Sequence, residues 1–403
     1  MYGVFTLIAL ILFIFNGNNG NATFGISSAD DKIQLSPITV NAMVMGVIAV
    51  ILCAVVTVFS YLYTKKSEPS KIWMPIVFSA AFLFGFLSWI VAGATTTEIS
   101  LENLLAGAVT LAVPLVFGSL SGVLCERVGV VNIAIEGQLL GGAFTAALVA
   151  SVTHNPYVGM IAAALSGVVT SSILALFAVR YFIDQIVVGV VLNVLVSGLT
   201  GFFYKTLMTN SPDTFNMPAS MPTMPIPILS QIPLIGPILF RQTLIGYAMY
   251  IAVAVVYIGL FKTKWGLRLR AVGEHPKAAD TAGIDVNKTR FRTVLLAGAI
   301  AGFGGAFFTL VAVDGFTKDM TAGKGYIALA AMIFGRWNPI GAFFAALLFG
   351  FCDNLQSIMT IIGTPVPSSL MAMLPYLATI FAVAGLVGKS QGPAAAGTPY
   401  KKG

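Results

Sequence analysis

Long apolar runs alternate with short polar breaks along almost the whole chain. The runs fall at about 3–15, 38–63, 72–93, 103–125, 137–152, 157–179, 182–204, 243–261, 293–313, 326–335, 339–353 and 371–388. A helix rises ~1.5 Å per residue, so crossing a hydrocarbon core of ~30 Å takes about 20 apolar residues. Several runs reach that length, and they lack the short in–out alternation of barrel strands. The pattern predicts an all-α polytopic membrane protein with about 10–12 transmembrane helices, some short or broken. The pieces 326–335 and 339–353 are the short ones, separated by "GRWNP" (335–339). They read as two short helices. Their junction is either a tight hairpin turn or the interrupted pair by which transporters turn backbone groups toward a cavity. The opening "MYGVFTLIALILFIF" lacks the basic start and small-residue cleavage site of a signal peptide, and reads as a short first spanning helix.

Composition agrees. Of 403 residues 57% are hydrophobic and 9% charged, against roughly 25% charged in a soluble domain; too little polar surface remains to coat a water-facing globule. The net charge of +7 therefore reads as orientation rather than nucleic-acid affinity. The basic stretches 63–71, 125–127, Arg180, the loop 262–292 and the tail "PYKKG" are expected in the cytoplasm, with both termini. The stretches 95–103, 151–157 and 205–242 are then outside. The last of these holds seven of the 19 prolines, which fix φ and remove donors, so it is expected to be extended and stiff. It serves as a docking surface for an outside partner or as a plain connector.

Candidate chemistry is sparse. Cys53, Cys125 and Cys352 lie in apolar runs without paired spacing and read as buried hydrophobes. His154 and His275 are far apart, so no metal site is expected. "VAGLVGKS" (383–390) ends like a phosphate loop, but Val383 stands where that motif needs glycine. ATP, if used, is bound by another subunit. No catalytic constellation is visible. The triplet "GAF" at 142–144, 305–307 and 341–343 is compatible with a duplication and with chance in a chain rich in Gly and Ala.

Three polar groupings stand out at membrane depth. "GVVNIAIEGQLLGGAF" (129–144) carries Asn132, Glu136 and Gln138 where a turn meets an apolar helix. A carboxylate there either caps a helix N-terminus or marks a translocation path. "DQIVVGVVLNVLVSGLTG" (184–201) sets Gln185, Gly189, Asn193, Ser197 and Gly201 at i+4 steps, a stripe that suits helix packing or a polar path. Asp353 and Asn354 follow an apolar run and are placed with the path group.

The loop 262–292 is the exception to the low charge, with eight Lys or Arg and three acids. Inside it, "HPKAADTAGI" predicts a short helix: Pro276 suits the first position and Gly283 the stop. Such a helix, exposed on the cytoplasmic face, offers a grip to a soluble partner.

"GLRLRAVGEHPKAADTAGI" resembles the coupling region of ABC-transporter permeases of the ribose, branched-chain amino-acid and nucleoside type. "ERVGVVNIAIEGQLLGGAF", "DQIVVGVVLN" and "MTAGKGYIALAAMIFGRWNPIGAF" are similar to the nucleoside (or simple-sugar) branch. The resemblance covers about 103–388 and implies an ABC importer permease core. Residues 1–100 are then an extension with two or three additional helices, and 389–403 a polar cytoplasmic tail. It implies a bacterial cell-membrane importer with a cytoplasmic ABC ATPase, a second paralogous permease and an extracytoplasmic substrate-binding lipoprotein. No cofactor is expected on this chain; ATP and Mg would sit on the ATPase. Arg270, Gly273, Glu274, Pro276, Ala278, Ala279 and Gly283 are then the ATPase-coupling residues. Asn132, Glu136, Gln138, Gln185, Asn193, Asp353 and Asn354 are the path candidates. The expected cargo is a nucleoside, with a ribose-like sugar as the alternative. An ion-coupled secondary transporter would want more membrane-embedded acids than Glu136 and Asp353, and a membrane enzyme would want a reactive cluster.

Overall fold

The computed structural model describes residues 2–27, 34–66, 71, 73–94, 96, 98–364, 370, 373 and 392–401. Among these, nine helices are long and apolar enough to cross a membrane, and two shorter apolar helices lie at Tyr2–Phe15 and Lys324–Phe334. The expected span 371–388 and the "VAGLVGKS" stretch lie outside the described residues, Met373 excepted.

The chain divides into two compact units, 1–107 with 226–240 and 352–377, and 108–225 with 241–351 and 378–403. In the first, α1 (Tyr2–Leu10) runs into a widened turn (Ile11–Phe15) and then β1 (Asn21–Gly25), β2 (Ile38–Asn41), α2 (Ala42–Lys65), α3 (Trp73–Ala92) and β3 (Glu98–Ser100). The strands form a small sheet in the order β2-β1-β3, with β1 antiparallel to β2 and parallel to β3. The expected run 38–63 is thus a strand and then a helix. Asn41 makes the switch: its side chain accepts from the Met43 and Val44 N–H groups at 3.1 and 3.2 Å, satisfying donors that a helix start leaves open. Phe13 locks α1 to α2 and α3. Its ring and backbone fill the space that side chains at Gly46 and Gly85 would need.

In the second unit, α4 (Leu101–Arg127, entering from the first) is followed by α5 (Ile135–Thr153), α6 (Pro156–Ala175) and α7 (Gln185–Phe203). The proline-rich region holds α8 (Pro212–Phe215), β4 (Thr223–Pro225), α9 (Ile235–Phe240, in the first unit) and β5 (Arg241–Thr243). It is therefore folded into short turns and a hairpin rather than simply extended. Then come α10 (Leu244–Lys262), α11 (Lys264–Glu274), α12 (Pro276–Thr281), α13 (Val286–Phe307), α14 (Lys324–Phe334) and α15 (Pro339–Ile361). Two readings of the sequence change here. The charged loop contains α11, a second helix, whose Leu269 and Val272 are buried. And α15 is a full-length span of 23 residues, not a short helix ending at 353.

Glycine holds α5, α6 and α13 together. A Cβ at Gly142 would overlap the Gly302 carbonyl, one at Gly167 the Gly298 carbonyl, and one at Gly302 the Ala163 carbonyl. Lipid tails are as apolar as leucine, so helices inside a membrane gain most by close packing, which small residues permit. A methyl added at Gly302 should therefore cost about 1–3 kcal/mol by overpacking. Gly198 on α7 has nothing within 4 Å of its would-be Cβ. Thermal melts of purified Gly302→Ala and Gly198→Ala should show a clear fall in Tm for the first and none for the second.

Candidate functional site

The segment 128–134 between α4 and α5 is buried at most positions, and its polar atoms must be met from neighbouring helices. The Gln185 side-chain oxygen accepts from the Val131 N–H at 2.7 Å. Asn132 donates to Ser121 Oγ at 3.2 Å and to Gln138 Oε1 at 3.1 Å. Asn193 works in both directions. Its oxygen accepts from the Gly137 N–H at 2.8 Å, and its amide donates to the Ile133 carbonyl at 2.9 Å and the Tyr326 hydroxyl at 3.1 Å. Asn132 and Gln138 are fully buried, and Gln185 and Asn193 nearly so.

Glu136 sits in the first turn of α5, yet what it caps is α14. Oε1 accepts from Thr321 Oγ1 at 2.7 Å and the Gly323 N–H at 2.9 Å, and Oε2 from the Gly325 N–H at 2.6 Å. Helix α14 has 11 residues, a length of ~16 Å at ~1.5 Å each; it cannot cross a bilayer, so its start needs donors satisfied from within the protein. One carboxylate thus serves the positive ends of two helices. Close approach is essential, since a Cβ at Gly325 would strike the Glu136 backbone.

Five of the seven path candidates, Asn132, Glu136, Gln138, Gln185 and Asn193, therefore form one polar joint linking α4, α5, α7 and α14. The lower part of the α7 stripe continues the seam: Ser197 Oγ donates to Asp319 Oδ1 at 2.6 Å, and the Lys318 side chain lies beside Gly201. Asp353 and Asn354 belong to the other unit. There the Asn354 amide donates to the Asn103 and Leu104 carbonyls at 3.1 and 2.8 Å. Among the described residues, no group of three or more His, Cys, Asp or Glu side chains is placed to hold a metal ion.

A second site lies at the end of α10. Thr263 turns the chain, its hydroxyl accepting from the Gly266 N–H at 3.1 Å. Gly266 and Gly273 let α11 lie directly on backbone: the first against the Gly259 and Leu260 carbonyls, the second against the Arg127 carbonyl. The Arg270 guanidinium stacks over the Phe261 ring, 5.2 Å from its centroid. Helix α12 follows with Pro276 in its first turn and His275 as its cap, Nδ1 accepting from the Ala278 N–H at 3.2 Å. Gly283 ends it at φ +80°, in open space, so backbone conformation rather than crowding requires glycine there. Ala279 and Gly273 point inward; Glu274, Lys277, Ala278, Thr281 and Gly283 are exposed. The coupling candidates thus divide into residues that seat α12 and residues that present it.

Three further elements are tied to this face by contacts that the sequence did not reveal. The "GRWNP" turn carries Arg336 and Trp337 at positive φ and is tied to the end of α4: the Trp337 indole donates to Glu126, and Arg127 Nε donates to the Trp337 carbonyl at 3.0 Å. Arg290, 2% exposed, donates through Nε to the Val128 carbonyl at 3.2 Å and through Nη1 to the Thr398 carbonyl at 2.8 Å. The third element is the tail itself. The Ala395 N–H donates to the Gly273 carbonyl at 2.9 Å, the Tyr400 hydroxyl donates to Asp280 of α12 at 2.9 Å, and Lys401 lies over the Phe182 ring. Burial, then the bond to Asp280 and that residue's charge, push the Tyr400 phenol above its ordinary pKa, so it remains a donor. A small-residue stretch such as "GPAAAGTPY" has no periodicity to announce such a role.

Many spanning helices, one short buried helix with a borrowed cap and a small helix presented at the end of a span define a polytopic membrane permease. Residues 104–384 match the family described as "Branched-chain amino acid transport system / permease component", and the chain belongs to it. It is 39% identical over 314 residues to the guanosine ABC transporter permease protein NupQ of Bacillus subtilis, covering 75% of this chain and 98% of that protein. It is likewise 39% identical over 314 residues to the nucleoside ABC transporter permease protein NupC of Lactococcus lactis, with the same shares covered. The putative glucose ABC transporter permease protein TsgC13 of Haloferax volcanii is 32% identical over 300 residues, 69% of this chain and 89% of that protein. No solved structure matches.

The joint gives a direct test. In Glu136→Ala three donors at the start of α14 lose their acceptor, and each buried group left unpaired costs about 1–3 kcal/mol. Glu136→Gln keeps one carbonyl oxygen and should fall between. The expected order of melting temperature in detergent is wild type, Gln, Ala.

Proposed function

We propose that this chain is the membrane-spanning permease of an ATP-driven ABC importer whose cargo is a nucleoside. One observation carries the reading: two permeases named for guanosine and for nucleosides align with it over 98% of their own lengths at 39% identity. Within this proposal, ATP and Mg belong to a separate cytoplasmic ATPase. Helix α12, with exposed Lys277 and Ala278, together with exposed Glu274 at the end of α11, is the part that ATPase holds. The face carrying α12 and the 392–401 tail is then cytoplasmic, in a bacterial cell membrane. A second, paralogous permease completes the pathway, and an extracytoplasmic lipoprotein delivers the substrate.

The chemistry of the joint favours a neutral solute. Its members are amides and a carboxylate. Arg127 and Arg290 lie at helix ends and are held by backbone carbonyls, so neither is placed to offset a phosphate at membrane depth. In this reading the joint acts as a hinge support. Helix α14 and the 128–134 segment are fastened to each other, so a displacement of α12 and α11 against Arg127 reaches them as one body. A simple sugar is the second reading, favoured by the similarity to the putative glucose permease.

Two measurements test the proposal. Cells lacking this gene should lose uptake of labelled guanosine, adenosine and uridine while ribose and glucose uptake persist; the converse result assigns the sugar. Ala278→Arg adds bulk at an exposed position of α12 and keeps the backbone N–H that His275 Nδ1 accepts from. Because the backbone cap is kept, Ala278→Arg should leave the protein's melting temperature unchanged while ATPase co-purification and uptake fall together. Uptake at the normal rate with the ATPase bound would remove α12 from the coupling role.

A further inference from the structure

Residues 214–240 contain no charged side chain and no histidine. Within them, Ile226, Ile228, Leu229, Ile232, Ile235 and Leu239 are exposed, Ile228 by 78%. Six large apolar side chains within 14 residues are costly in water. The segment is also not a loose loop. Strands β4 and β5 pair through Thr223–Thr243, Met224–Gln242 and Pro225–Arg241, and the Ile226 N–H extends the ladder to the Phe240 carbonyl at 3.0 Å.

The stem is fixed at a defined level. The Tyr247 hydroxyl, one turn inside the spanning helix α10, donates to the Met224 carbonyl at 2.8 Å. The hairpin base therefore lies alongside the first turn of a membrane helix instead of rising from its end. Tyrosine belongs at this depth, with an apolar ring and a wet hydroxyl. The end of α10 in question is the one remote from α12.

The tip is built for a poorly hydrated place. Pro227, Pro233 and Pro237 carry no N–H. Of the nine non-proline residues in 226–236, seven donate their N–H to carbonyls within the hairpin, among them Ser230 to Ile226 at 3.0 Å and Gly236 to Ile232 at 2.8 Å. The remaining two, Ile228 and Leu234, adopt φ of +71° and +65°. Positive φ is a costly conformation for a β-branched residue, and water offers the exposed isoleucine nothing in return.

We infer that the 223–243 hairpin is an interfacial anchor: its tip lies at the boundary of headgroups and acyl chains, with Ile228, Ile232 and Ile235 in contact with lipid. The depth is shallow, since irregular backbone is not tolerated in the hydrocarbon centre.

The test uses the full chain in phosphatidylcholine–phosphatidylglycerol vesicles. Single cysteines at Ile228, Ile235 and the exposed Ser211 carry an environment-sensitive fluorophore, after replacement of the native cysteines. Labels at Ile228 and Ile235 should be quenched strongly by lipids bearing a nitroxide near the glycerol end of the acyl chain. Their quenching by aqueous iodide should be several-fold weaker than at Ser211. Adding Ile228→Asp to the Ile235 label should restore iodide quenching while the melting temperature stays near wild type. Iodide quenching at Ile228 and Ile235 equal to that at Ser211 overturns the inference. If the same labels are then protected only in native membranes, another protein covers the hairpin.

Discussion

A helix too short to cross the membrane must have its open end satisfied by the protein. Helix α14 meets this constraint with the carboxylate of Glu136, which accepts from Thr321, Gly323 and Gly325. The rest of the second unit is arranged around that bond. Gly325 is needed for the approach, Tyr326 takes the Asn193 amide, and Asn193 in turn holds the segment leading to Glu136. Removing one partner leaves several buried polar groups unpaired at once, and such groups are costly where no water replaces the partner.

The spans were legible because twenty apolar residues have few other meanings. Where the reading failed, long-range contacts had overruled a local signal. Asp353 and Asn354 look like the end of a helix, yet α15 continues to Ile361 while the Asn354 amide is met by carbonyls some 250 positions earlier in the chain. The basic stretch after Lys262 looks like loop, but Gly266, Leu269 and Val272 recur at a helical interval and face inward. The small sheet of the first unit rests on strands of three to five residues, too short to leave a period.

The candidate site was legible residue by residue but not as an assembly. Asn132, Glu136, Gln138, Gln185 and Asn193 are conspicuous as polar residues in apolar surroundings. That they converge on the 131–138 segment and the start of α14 depends on partners up to 189 positions apart, which spacing cannot disclose. The helix at Pro276–Thr281 was legible to within two residues, because a proline start and a glycine stop are local signals.

The tail has a consequence in time. Residues 392–401 are made after α12 and α13, and until they emerge the Arg290 guanidinium lacks the Thr398 carbonyl and Asp280 lacks the Tyr400 hydroxyl. The nine long apolar helices of the described residues all precede them in the chain. The surface around α12 is therefore completed only after these helices have been made, and a chain lacking residues 392–401 would carry them beneath an unfinished face.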